Sequence, residues 1–218
     1  MRRFILLLTT IIVAACTDVY VEPTPIADNA LTLNVSIEES SDTRIQLNEA
    51  GKTVWNSGDY LSVYYANSFS KWRFNGNDGD RTGTITPDGS VGNKVPVMIN
   101  VVAVYPYGDY AYSPTTKMLT ATLSAEQSYI DGSYGENGNM LVAYSTNGNL
   151  QFKNVYGWLK LQLKGDNQMV KSIVVKGNNY EQIVGDVEIN VNTLETSLTS
   201  YGMQVVKLDC GDEGVALS

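Results

Sequence analysis

Ser68-Phe69-Ser70-Lys71 spells S-x-x-K, the spacing at which a lysine activates the serine nucleophile of penicillin-binding proteins. That chemistry needs the motif on a helix, with a K-T-G strand beside it. No K-T-G occurs in the chain, and the four residues fall between two short strand patterns, so the match is read as chance. Asn75-Gly76-Asn77-Asp78-Gly79-Asp80 offers oxygens and glycines, as calcium loops do. The glutamate that closes an EF-hand loop is missing, and a plain turn uses the same residues. The carboxylate pairs Asp78/Asp80 and Glu38/Glu39 are of the type used in glycoside hydrolysis. That reaction sets two carboxyls across a cleft, whereas solvated surface explains adjacent acids on a polar stretch. The chain contains no histidine. Ser-His-Asp and Cys-His catalysis are therefore excluded, together with most catalytic zinc sites. The expectation is a protein without catalytic residues, metal or cofactor.

The one residue marked for covalent chemistry is Cys16. Arg2 and Arg3 precede an apolar run from Phe4 to Val13, and Ala14, Ala15 and Cys16 close it. A basic start, a short apolar core and small residues form an export signal. The run is too short for a membrane span, which takes roughly 20 residues. Val13-Ala14-Ala15-Cys16 resembles the lipobox of bacterial lipoproteins, where cleavage between Ala15 and Cys16 follows lipid transfer to the cysteine. Residues 1–15 then form the signal peptide, and the outer membrane becomes a partner through the lipid anchor. Residues 16–29 form a lipidated tether, and Pro23 and Pro25 within it break any regular pattern.

The elements that must carry any function are strands. Tyr, Gly, Asn, Thr, Ser and Val are abundant, a mixture that favours strands and turns. Without residues 1–15, 13 basic and 23 acidic side chains remain, a formal charge of −10. Such a surface argues against nucleic acid, which rewards clustered Lys and Arg. With Cys16 lipidated, Cys210 has no partner for a disulfide, and the fold must rest on its apolar core.

Ala30 to Glu38 alternates: Leu31, Leu33, Val35 and Ile37 face one way, Thr32, Asn34 and Ser36 the other. Period two means a half-buried strand. Trp55 precedes a turn at Asn56-Ser57-Gly58-Asp59 and then a strand carrying Leu61, Val63 and Tyr65. Val101 to Tyr105 is continuously apolar, which suits a strand covered on both faces, and Pro106 ends it. Phe152 to Lys164 reads as one long strand in which Leu159, Leu161 and Leu163 alternate and Trp158 belongs to the core. Many short strands between turns, with no helical period, predict an all-β sandwich or barrel.

Several of these segments, in order, resemble the fimbrillin-like proteins of Bacteroidota, fimbrial subunit lipoproteins. Trp55-Asn56-Ser57-Gly58-Asp59 resembles their W-x-x-G-D motif and Val102-Ala103-Val104-Tyr105-Pro106-Tyr107 their A-x-Y-P-Y segment. Gln127, Asn139 to Tyr144, Phe152 to Lys164, and the pair Leu208-Asp209-Cys210 and Val215 to Ser218 follow in the family's order. The resemblance implies a Greek-key, transthyretin-like β-sandwich. It also implies surface lipoproteins of the fimbrium that assemble by strand exchange with other fimbrial subunits, and a host or bacterial surface ligand. An arginine-specific protease then removes the first strand, here Leu31, Leu33, Val35 and Ile37, and a neighbour's strand refills the groove. Arg44, followed by Ile45, sits where such a cut would fall. A solvated loop arginine would look the same.

The expected organisation is an N-terminal β-sandwich over residues 30–166 and an incomplete second β domain over 167–218. The latter supplies three or four strands where a sandwich takes about seven. Either the sequence is truncated, which is the preferred explanation, or its second half lies against the first domain, or it awaits strands from a partner. The alternative function is a surface glycan-binding lipoprotein of the same architecture, with Tyr129 and Tyr134 in a Gly-rich loop as the exposed aromatic contacts.

Overall fold

A computed structural model describes residues 31–38, 46–47, 53–65, 67–89, 100–134, 138–157, 159–199 and 202–217. Every described element is a strand. They run β1 (Leu33–Ile37), β2 (Gln46–Leu47), β3 (Thr53–Val54), β4 (Tyr60–Tyr65), β5 (Ser68–Phe74) and β6 (Thr82–Pro87). Next come β7 (Val101–Tyr105), β8 (Ala111–Ser113), β9 (Met118–Leu123), β10 (Glu126–Ser128), β11 (Leu141–Ser145) and β12 (Asn149–Asn154). The last six are β13 (Met169–Val170), β14 (Ser172–Lys176), β15 (Gly185–Asn190), β16 (Thr196–Leu198), β17 (Val205–Asp209) and β18 (Val215–Ala216).

The chain is all-β, and its main sheet closes on itself in the order β1-β12-β11-β7-β4-β5-β6. Within it β4, β5 and β6 form a meander and β7 returns beside β4, the Greek-key order. The interior is a sandwich-like core of Trp55, Leu61, Val63, Trp72, Phe74, Ile85, Leu141, Leu150 and Phe152, all at most 1% exposed. Period two explains the choice of faces: Leu61 and Val63 of β4 and Trp72 and Phe74 of β5 are alternate residues, and all four point inward.

β7 is covered on both sides, as its continuous apolar run predicts. Val101 and Ala103 belong to the inner core. Val102 and Val104 pack outward, with Val142 of β11, against Leu119, Ala121, Val187 and Ile189. Those four lie on β9 and β15 of a second sheet, β16-β15-β9-β8. β15 pairs with β9 over six residues, from Gly185 opposite Leu123 to Asn190 opposite Met118. Residues on both sides of position 166 therefore share one sheet and one core.

The turn between Trp55 and β4 is built from its own side chains. The Asn56 N–H donates to Oδ2 of Asp59 at 2.9 Å, and the Asp59 N–H donates to the Asn56 carbonyl at 3.1 Å. Gly58 sits at φ +80°, a backbone conformation that favours glycine. Burial pushes the Asp59 carboxyl above its usual range. The Asn56 N–H and the Tyr105 hydroxyl oppose the rise, and the nearby Asp78 adds to it. The folded state thus holds the Asp59 proton more tightly than the unfolded state. This group's contribution to stability is full at low pH and is lost as pH rises above the ordinary carboxylate range through the raised value. Asp59→Asn keeps an acceptor for the Asn56 N–H and removes the titration. Urea unfolding of both proteins across that window should show the variant gaining on the parent as pH rises. Parallel curves would contradict the assignment.

Two expectations are corrected. Ser68 to Lys71 does not lie between strands; it begins β5, paired with β4 from Tyr65 opposite Ser68. Asn67 at φ +70° turns the tight hairpin that its sequence does not advertise as Asn-Gly or Asp-Gly would. The strand expected from Phe152 to Lys164 ends as β12 at Asn154. Leu159, Leu161 and Leu163 beyond it are 66%, 46% and 46% exposed. Alternation marks a face, but a strand needs a neighbour to complete its ladder, and no described strand pairs with residues 159–164.

Candidate functional site

β1 occupies a slot between the two ends of an otherwise antiparallel sheet. It runs antiparallel to β6, with Leu33 opposite Ile85 and Val35 opposite Gly83. It runs parallel to β12, with Val35 opposite Leu150 and Ile37 opposite Phe152. Directions can alternate all the way round a closed ring only when the strand number is even. Seven strands force one parallel neighbour pair, and here the odd strand is the first. Parallel pairing is slightly less stable per residue.

The side chains of β1 are core residues. Leu33, Val35 and Ile37 are 2%, 3% and 4% exposed, and Leu31 packs partly buried against the same cluster. Gly83 shapes the wall opposite Val35: the Phe74 ring lies so close across β6 that a Cβ there would stand 2.5 Å from Cε2. At the exit, the Arg81 guanidinium donates from Nη2 to the carbonyls of Glu38 at 2.8 Å and Ile37 at 3.2 Å. The Ile37 N–H donates to the Arg81 carbonyl and the Glu38 N–H to that of Phe152, both at 3.0 Å. Lys153 meets Glu38 at 2.9 Å, but both side chains are more than a third exposed, so this pair adds little. The hold on β1 is apolar. Three fully buried aliphatic side chains are worth about 5–9 kcal/mol against water. That is comparable with the whole stability of an ordinary domain, about 5–15 kcal/mol.

A second feature is a groove of about 490 Å³ in the C-terminal part. Its floor belongs to the sheet β10-β17-β14 and the pair β13-β18. Leu159, Leu161 and Leu163 line it together with Ile130, Ile173 and Leu208. Tyr129 and Tyr134, picked out as sugar contacts, are in the same wall, and the Tyr129 hydroxyl donates to Asp131 Oδ1 at 2.9 Å. Cys210, the thiol that remains if Cys16 is lipidated, also lines this groove.

The remaining marked residues are placed as follows. Ala15, Cys16, Arg44, Ile45 and Trp158 lie outside the described residues. Ser70 and Lys71 of S-x-x-K are on a strand, where the Ser70 hydroxyl accepts from Trp72 Nε1 at 2.9 Å. Asp80 accepts the Asn77 N–H at 2.7 Å, the bond of a turn, and Asp78 accepts the Ser57 N–H at 2.7 Å, tying this loop to the turn before β4. Sequence reasoning missed Tyr60 and Tyr107, which are 39% and 49% exposed and flank Lys71. Its ammonium lies 3.7 Å from one ring centroid and 5.4 Å from the other. They meet only because the Tyr107 N–H donates to the Tyr60 carbonyl at 2.9 Å, a contact between residues far apart in the chain.

Compared with known proteins, the chain matches no family model, and no curated protein or solved structure shows significant similarity to it.

Proposed function

We propose that this chain is a non-enzymatic structural or adhesive subunit of a surface fimbria, anchored to the outer membrane by lipid at Cys16 and joined to its neighbours by β-strand complementation. One observation carries the reading: the first strand completes the main sheet and its core, yet it is held at both edges as an insert. Its neighbours β6 and β12 are otherwise the ends of a six-stranded antiparallel sheet. An incoming strand with apolar residues at alternate positions would find the same two ladders and the same pockets.

The strand is also placed to leave from its N-terminal side of the chain. Among the described residues, the segment that fills the slot ends at Glu38, and the next described strand, β2, begins at Gln46. A cut after Arg44 would separate β1 from everything downstream while touching no described strand. Treatment of the mature, folded protein with an arginine-specific protease is expected to yield a new N-terminus at Ile45. The product should then form oligomers on size-exclusion chromatography. An intact Arg44–Ile45 bond after prolonged digestion of folded protein would count against processing at this site.

A further inference from the structure

We infer that the cavity beside Tyr107, between the main sheet and the sheet β16-β15-β9-β8, is a binding site for one neutral sugar ring of a glycan. The inference is independent of strand complementation. It gives the adhesive side of the proposed function a ligand, at a place other than Tyr129 and Tyr134.

The loop that follows β7 is pinned by its own bonds. The Ser62 hydroxyl of β4 donates to the Gly108 carbonyl at 2.8 Å and accepts the Gly108 N–H at 3.1 Å. The Tyr110 hydroxyl donates to the Pro106 carbonyl at 2.8 Å. The Tyr107 N–H is held by the Tyr60 carbonyl. The side chains of Tyr107 and Asp109 take no part in these bonds. Tyr107 is half exposed, and among the described residues Asp109 has no hydrogen bond or ion pair. A fixed loop that holds an aromatic ring and a carboxylate in water is preorganised for binding, because little freedom is lost when a ligand arrives.

Both residues border a cavity of about 200 Å³, whose other walls include Thr122 of β9, Asn139 and Tyr156. Sites for drug-sized ligands take about 300–1,000 Å³, so this one suits a single small ring. The amide nitrogen and oxygen of Asn139 are both buried, and neither has a hydrogen-bond partner. Buried polar atoms are normally paired, and a hydroxyl seated in the cavity supplies what this amide lacks. The lining narrows the ligand class. Tyr107 offers a flat apolar face, Asn139 a donor and an acceptor, and Asp109 acceptors alone. A pyranose has the matching C–H face and a rim of hydroxyls. Asp109 is the one charged side chain among the described residues that line the cavity, so an anionic sugar is repelled. A cation is disfavoured too, because the Lys71 ammonium already lies 5.4 Å from the Tyr107 ring centroid.

The test is saturation-transfer NMR on the mature full-length chain with the methyl glycosides of glucose, galactose, mannose, fucose, N-acetylglucosamine and N-acetylgalactosamine. At least one should bind, with an affinity that added NaCl does not change. Tyr107→Ala should weaken that binding about tenfold or more, whereas Tyr107→Phe should keep most of it. The melting temperature of the alanine variant should stay close to the parent's, since the bond that holds the loop uses the Tyr107 N–H. Asp109→Asn should weaken binding several-fold at unchanged stability. In isotope-labelled protein, shifts should move at residues 106–110 and 139–140. Tyr129→Ala should leave binding as it is. No saturation transfer to any of these glycosides would overturn the inference, as would tighter binding of methyl glucuronide or choline. Binding lost in Tyr129→Ala and kept in Tyr107→Ala would place the sugar in the C-terminal groove and overturn it as well. None of these outcomes depends on whether the chain is cut after Arg44.

Discussion

A chain that starts at Ile45 is expected not to fold alone and to fold when a peptide of residues 30–38 is supplied. The missing segment takes Leu33, Val35 and Ile37 out of the core. Their burial is worth about 5–9 kcal/mol, enough to consume most of a domain's stability of about 5–15 kcal/mol. It also leaves two sheet edges open, β6 and β12. Those edges run antiparallel to each other, so they have the polarity to pair directly and close a ring of six. The contents of the ring oppose this. Trp55, Trp72, Phe74 and Phe152 all lie inside it, and barrel diameter grows with strand number. A six-stranded ring would have to expel an aromatic side chain that is now almost fully buried. Circular dichroism and thermal melts of the shortened chain, with and without peptide, read the outcome. A Val35→Asp peptide should fail to rescue, because its carboxylate would enter the core unpaired. A shortened chain that melts cooperatively near the parent's temperature without peptide would show that the ring closes itself. The slot would then not exist.

The local pattern of the sequence contains the strand faces and little else. Leu33, Val35 and Ile37 could be assigned to one buried face from their spacing, and Val101 to Val104 to a doubly covered strand from their continuity. Both assignments depend only on residues that are neighbours in the chain. The parallel pairing of β1 with β12 joins Val35 to Leu150, and nothing near either residue announces the other. The pairing of β15 with β9, which carries residues beyond 166 onto the first half of the chain, is hidden for the same reason. Leu159, Leu161 and Leu163 show the opposite failure. Their period is as clean as that of β1, yet they lie exposed in a groove, because periodicity cannot say whether a partner is present to cover the face. The slot was legible as a strand; the groove looked like one and is a surface.

Trp55→Ala is expected to be the most damaging single truncation in the core. The indole is 0% exposed. It stacks on Phe74 with centroids 5.4 Å apart and meets Tyr105 and Phe152 edge-on at 5.5 and 5.2 Å. These three rings come from β5, β7 and β12, so one side chain ties together distant parts of the main sheet. Truncating a buried tryptophan costs about 3–5 kcal/mol. For a chain of this size that corresponds to a fall in melting temperature of about 6–20 °C. The Nε1–H has no hydrogen-bond partner among the described residues. Trp55→Phe therefore removes ring volume without orphaning an acceptor, and should cost clearly less than alanine. The effect should also reach β1. Phe152, which loses its edge-on neighbour, stands opposite Ile37 in the parallel ladder. Hydrogen exchange at residues 33–37 should therefore accelerate in the alanine variant by more than at β9 and β15, whose core lies outside the ring. Equal acceleration everywhere would mean that the strand opens only when the whole molecule does. The first strand would then not be separately exchangeable, and strand complementation at this slot would lose its physical basis.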